Sequence, residues 1–259
     1  MIGFPDGNGY GSHIASGTDA VNLMLDNLIG DVVFVNEEAA LPPPDGPLVI
    51  IVAHGSILGP LPVMAAFGRM YLRHGLGNEM IGFYAHRAVE MTPGMCRFFE
   101  MFGMLTKVPT VIELVRLLKN GDIRVAGNSF EGTSCLFSWD EEIGPFRNGG
   151  MLDAAIKAEA AICLIVHKGT EPWSVKLNLP GGKTVPFIKG LRGINLFLGP
   201  IKKLDRLTIL CSRYKPGIKR LEYEELEASQ RRAVLKAELE KLRQRLIEMT
   251  AEIIDRQDA

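Results

Sequence analysis

The feature that most constrains this chain is the run Leu48-Val49-Ile50-Ile51-Val52-Ala53, which has no polar residue on either face. A strand wetted on one side alternates apolar with polar. This one does not, so both faces must be covered, as in the parallel sheets of layered α/β proteins. Pro42-Pro43-Pro44-Asp45-Gly46 breaks the chain just before the run, and His54-Gly55 follows it. The run therefore reads as a buried strand with His54 at its carboxyl end. Met80–Ala85, Ile123–Ala126 and Ala161–His167 read as further strands, with shorter ones near Val175–Leu179 and Leu207–Cys211. Helices are predicted near Asp19–Ile29, over Pro62–Arg73, from Val111 to about Asn120 and over Gly150–Glu159. The third has a capping box, Thr110-Val-Ile-Glu113, at its start and Gly121 as its stop. Such alternation predicts a single layered α/β domain with a mixed, largely parallel sheet flanked by helices.

The tail is different. Between Glu222 and Arg256 there is no Gly or Pro, and Leu235, Leu239, Leu242, Leu246, Met249 and Ile253 follow a heptad spacing. A long C-terminal amphipathic helix is predicted, its seam either packed back on the domain or paired with a second copy through residues 222–256. The expected layout is an N-terminal segment with a short helix and Pro-rich linker (1–46), an α/β domain (47–218) and the C-terminal helix (219–259).

Charge and cysteine usage narrow the function. The net charge of −1 gives no argument for nucleic acid. Residues 183–220 nonetheless hold ten Lys or Arg against one acid, Asp205. Such a block suits anionic lipid headgroups or the phosphates of coenzyme A, or is a solvated face balanced by the acids after Glu222. Cys96, Cys135, Cys163 and Cys211 form no CxxC pair, and the last two sit in apolar runs, which fits a reducing cytoplasm. The N-terminus lacks the regions of a signal peptide, and no run reaches the ~18 apolar residues of a membrane span. A cytoplasmic protein, peripheral at the inner face of a membrane, is expected. Thr92–Thr106, rich in Met and Phe, suits an acyl-chain groove, an interfacial surface or a core helix. No acidic spacing marks a metal site.

Two segments carry candidate chemistry. Ala53-His54-Gly55-Ser56 places a histidine directly after a buried strand. Phe130-Glu131-Gly132-Thr133-Ser134 also follows a strand, and Phe146-Arg147-Asn148-Gly149 then leads into a helix. Carboxyl ends of strands line the binding crevice of open α/β sheets, so both segments can share one cleft.

The order of these pieces resembles the glycerophosphate and lysophosphatidate acyltransferase superfamily over about residues 47–172. That family has a strand ending in an Asn-His-x4-Asp box, a later Phe-Pro-Glu-Gly-Thr-Arg box, a Phe-Lys-x-Gly helix entry and an apolar strand with a proline. Ala53-His54, Phe130-Glu131-Gly132-Thr133, Phe146–Gly149 and Ala161–Val166 are the counterparts here. The departures are specific. The family's aspartate falls on Gly59, its arginine after Gly-Thr on Ser134, the intermediate arginine has Lys107 near it, and the strand proline is replaced near Cys163.

The resemblance implies an O-acyltransferase moving a fatty acyl group from acyl-coenzyme A or acyl carrier protein to a hydroxyl of a glycerolipid or related lipid alcohol. No cofactor is permanently bound in that scheme. His54 is its base, and Glu131 or Ser56 replaces the missing aspartate as orienter. Gly55, Ser56, Lys107, Phe130, Gly132, Thr133, Ser134, Phe146 and Gly149 contact substrate, with amides near Gly55 or Gly132 facing the oxyanion. Loss of the arginine fork at Ser134 points to an acceptor other than glycerol phosphate. One alternative is an inactive relative that binds lipid or serves as a scaffold. The other is a serine hydrolase using Gly127-Asn128-Ser129-Phe130-Glu131 as its elbow and His167 as base.

Overall fold

The computed structural model describes residues 12–13, 18–55, 59–84, 104–105, 107–131, 143–144, 146, 148–178, 193–197 and 202–255. Its strands are β1 (Ser12–His13), β2 (Ile29–Val35), β3 (Leu48–Val52), β4 (Met80–Tyr84), β5 (Met104–Leu105), β6 (Val125–Asn128), β7 (Ala161–Lys168), β8 (Ser174–Asn178), β9 (Gly193–Phe197) and β10 (Leu204–Tyr214). Its helices are α1 (Thr18–Leu28), α2 (Pro60–Arg73), α3 (Val111–Asn120), α4 (Gly150–Ala158), α5 (Arg220–Glu225) and α6 (Ala228–Asp255). The main sheet runs β1-β4-β6-β3-β7-β10-β2, with β5 beside β4, and β8 pairs with β9 separately. Strands β4, β6, β3 and β7 are parallel neighbours, and β10 runs antiparallel to β7. The predicted mixed, largely parallel α/β sheet is present.

The unbroken apolar character of residues 48–53 is explained by the two cores. Leu48, Ile50 and Val52 enter one with α1 and α2; Val49, Ile51 and Ala53 enter the other with α3, α4 and α6. Leu48–Val52 is buried throughout. Helix α3 begins as the sequence requires: Thr110 Oγ1 accepts from the Glu113 amide, and the Glu113 carboxylate accepts from the Thr110 amide at 2.9 Å. Gly121 ends it at φ 76°, a left-handed conformation that glycine takes without penalty.

Two differences stand out. Residues 29–35 form β2, an edge strand parallel to β10 and continuous with α1, which packs on α2. The sheet therefore extends across the boundary expected at residue 46. The polar pair Gly30-Asp31 at the start of β2 hides it from a hydrophobic-run reading. Strand β10 is longer than Leu207–Cys211 because β7 and β2 hydrogen-bond it on both sides, carrying it through Asp205, Arg206 and Arg213. Nearly all of Thr92–Thr106 lies outside the described residues.

The tail helix packs back on the domain. Leu242, Leu246, Met249 and Ile253 of α6 are each 0–1% exposed, in one core with Leu164 and Val166 of β7. Leu235 and Leu239 cover Gly149, where a Cβ would come within 2.9 Å of both. The heptad seam is thus consumed within the chain. Glu238 ties α6 to β10, accepting from the Tyr214 hydroxyl at 2.9 Å and the Gly217 amide at 3.0 Å. Cys163 and Cys211 are buried free thiols. Among the described residues, no helix is long and apolar enough to cross a membrane.

Truncating Leu246 to Ala leaves a void between α6 and the sheet and is expected to lower stability by about 2–5 kcal/mol. Leu23→Ala, at a side chain 67% exposed on α1, is expected to stay within about 0.5 kcal/mol. Urea unfolding of the two variants checks both values.

Candidate active site

His54 follows the carboxyl end of β3, the strand flanked by β6 and β7. Glu131 lies three residues past the end of β6, and His167 sits near the end of β7. Because these strands are parallel neighbours, all three residues arrive at one edge of the sheet.

Glu131 is the centre of the arrangement. It is only 3% exposed. Its Oε2 accepts from the His54 backbone amide at 2.6 Å, and its Oε1 accepts from the Gly144 amide at 2.8 Å. Burial pushes the Glu131 carboxyl above its ordinary range, and the His54 amide, the Gly144 amide and the nearby Arg243 guanidinium oppose that shift. Glu131 and Ser56 are the two orienters expected from the sequence, and Ser56 lies outside the described residues. Both Glu131 carboxylate oxygens accept from backbone amides, so Glu131 fixes the main chain from which the His54 imidazole projects.

His167 holds the next peptide, His54–Gly55, on the other side of the same residue. Its Nε2 lies 3.2 Å from the His54 carbonyl oxygen, and its Nδ1 lies 3.5 Å from Thr170 Oγ1. A carbonyl only accepts, so Nε2 carries the proton and Nδ1 faces the hydroxyl. Burial lowers the His167 pKa from 6.5 to about 4, opposed by the carbonyls of His54 and Ala53. At neutral pH the ring is uncharged.

The imidazole of His167 also accounts for the absent aspartate. A Cβ on Gly59 would lie 2.5 Å from His167 Cε1 and 2.5 Å from the His54 carbonyl oxygen. No side chain fits at position 59 while His167 is there. Gly55, at φ +58°, is under the same ring: a Cβ there would stand 2.8 Å from Cε1. Both glycines are required by close approach, and Gly55 by its backbone as well. His167 was missed as a partner of His54 because sequence spacing does not reveal which strands are neighbours. The signal available was that two buried strands each end in a histidine.

The other predicted site residues divide into three groups. Phe130 is buried, and its ring packs edge-on against Phe146 with centroids 5.5 Å apart, joining the two boxes through the core. Gly149 is the residue before α4 and lies beneath α6, so its small size serves helix packing. Lys107 is exposed just after β5. Ser56, Gly132, Thr133 and Ser134 lie outside the described residues. Among the described residues the Ser129 hydroxyl is buried with no hydrogen-bond partner, while both His167 ring nitrogens are occupied as above. The Ser129–His167 pair of the hydrolase alternative is therefore not formed. No group of acidic, His or Cys side chains that could hold a metal occurs among the described residues.

A search of solved structures returns the crystal structure of the 1-acyl-sn-glycerophosphate acyltransferase PlsC from Thermotoga maritima. The match covers 91% of this chain and 79% of that one, with a TM-score of 0.50 and 15% sequence identity. The likeness is one of fold. No protein-family model and no curated protein matches the sequence.

His167, half-buried at the sheet edge, is expected to make the protein acid-sensitive in a definite window. Its folded pKa lies below the unfolded value of 6.5, so its contribution is complete above pH 6.5 and falls away as the pH drops toward about 4. That span is worth on the order of 3 kcal/mol. His167→Asn is expected to flatten the dependence of the unfolding midpoint between pH 6.5 and 4. An unchanged slope in the variant would assign the sensitivity to other groups.

Proposed function

We propose that this protein is an O-acyltransferase in which His54 is the general base. The observation that carries the reading is the 2.6 Å hydrogen bond from the His54 amide to Glu131. It joins, across 77 residues, the two sequence boxes on which the resemblance to glycerolipid acyltransferases rests. The fold likeness to an acyltransferase over most of the chain supports the same reading.

In this mechanism the His54 imidazole removes the proton from an acceptor hydroxyl as that oxygen attacks the carbonyl of an acyl thioester. The tetrahedral intermediate collapses with expulsion of the thiol, which takes a proton back from the imidazolium. Helix α2 begins beside this position, with Gly59 before Pro60 at its first turn and close to the His54 carbonyl. Its amino end supplies positive potential to the developing oxyanion. The donor is acyl-coenzyme A or an acyl carrier protein, and the acceptor is a lipid alcohol at a membrane surface. Lys202, Lys203 and Arg206 are exposed around the start of β10. That start lies at the same sheet edge as the ends of β3 and β7 and offers positive charge to anionic headgroups or to coenzyme A phosphates.

The absence of a carboxylate at position 59 favours one second reading, a protein that binds acyl thioesters without turning them over.

Purified protein with labelled acyl-coenzyme A and a panel of lysophosphatidate, glycerol phosphate, mono- and diacylglycerol and long-chain alcohols tests the choice. Transfer to one acceptor, reduced about 10²–10⁴-fold in His54→Ala, is the expected result. Binding of acyl-coenzyme A with equal, negligible turnover in both proteins would establish the second reading.

A further inference from the structure

Helix α6 carries a residue whose position is not explained by packing. Arg243 projects from α6 onto residues 143 and 144: its Nη2 donates to the Ile143 carbonyl at 2.9 Å, and its Nε donates to the Gly144 carbonyl at 3.1 Å. The Ile143 carbonyl and the Gly144 amide belong to one planar peptide unit. Arg243 holds the oxygen side of that unit, while its N–H points the opposite way and donates to Glu131 Oε1 at 2.8 Å. Glu131 Oε2 in turn accepts from the amide of the Ala53–His54 peptide. A cation on a carbonyl strengthens the amide donor of the same peptide, so the links reinforce one another.

We infer that Arg243 is a positioning residue for His54, acting through the Ile143–Gly144 peptide and the Glu131 carboxylate. The inference rests on the reading of His54 as the reacting base, but the geometric chain it describes is measurable without any turnover. Arg243 does not touch the reacting atoms. It fixes the peptide that fixes Glu131, and it supplies the full positive charge that faces the buried carboxylate. Its contact with Glu240 at 3.2 Å lies within α6 and is secondary.

Amide hydrogen exchange in the full-length protein, read residue by residue by NMR, tests the chain in Arg243→Gln, Arg243→Lys and, as a control, Arg245→Ala. Among the described residues Arg245 pairs with Glu248 on the same helix. Exchange at His54 and Gly144 is expected to speed up about tenfold in Arg243→Gln, the equivalent of one hydrogen bond. Leu164 and Ile165 in β7 should keep their wild-type rates. Arg243→Lys, which retains the charge but not the two-pronged contact, should fall between, and Arg245→Ala should match wild type. Where the wild type transfers acyl groups, kcat should fall in Arg243→Gln with KM nearly unchanged. Wild-type exchange at His54 and Gly144 in folded Arg243→Gln overturns the inference, as does uniform acceleration across the sheet. If Arg243→Gln does not fold, wild-type rates at those amides in Arg243→Lys overturn it equally. An inactive wild type with selective acceleration refutes the base assignment while leaving the positioning chain standing.

Discussion

A single buried carboxylate determines the shape of the sheet edge. Glu131 accepts one amide from the strand-end peptide at His54, 77 residues earlier, and one from Gly144, 13 residues later, and so ties three stretches of chain together. A carboxylate buried without partners would be costly; here both oxygens have donors and a guanidinium stands nearby. The main chain at His54 is gripped on both sides of the residue, its N–H by Glu131 and its carbonyl by His167. That grip fixes the main chain from which the His54 imidazole projects.

The topology makes this possible. Strands β6, β3 and β7 are parallel and adjacent, so three loops converge without long excursions. The reversal between β7 and β10 has a second effect, since it brings the amino ends of β10 and β2 to the same edge. Helices on both faces then seal the sheet, and α6 closes one of them with its apolar seam while reaching the site with a polar side chain.

Much of the fold was readable in the sequence because its signals are local. The apolar run at 48–53, the Thr110–Glu113 capping box, the left-handed Gly121 and the heptad of the tail each depend on neighbours a few residues away. Strand β2 was not readable, since what makes Ile29–Val35 a strand is the pairing with β10 some 175 positions later. The site divides along the same line. His54 and Glu131 stand at strand ends and carry a spacing that can be compared. His167 and Arg243 act on backbone atoms, and a contact to a carbonyl or amide imposes no residue pattern on its partner. Gly59 is the instructive case, where an apparent loss in the sequence is a filled space in the structure.

The shared space between Gly59 and His167 also limits how such a site can change over time. With the histidine ring and the His54 carbonyl each 2.5 Å from where a Cβ would begin, an acidic side chain at 59 is incompatible with the present ring. Loss of the ring alone would release the His54 carbonyl. The two positions can therefore change only together. A side chain at 59 needs the ring at 167 displaced first, and a change at 167 alone leaves the main chain at residue 54 held on one side only.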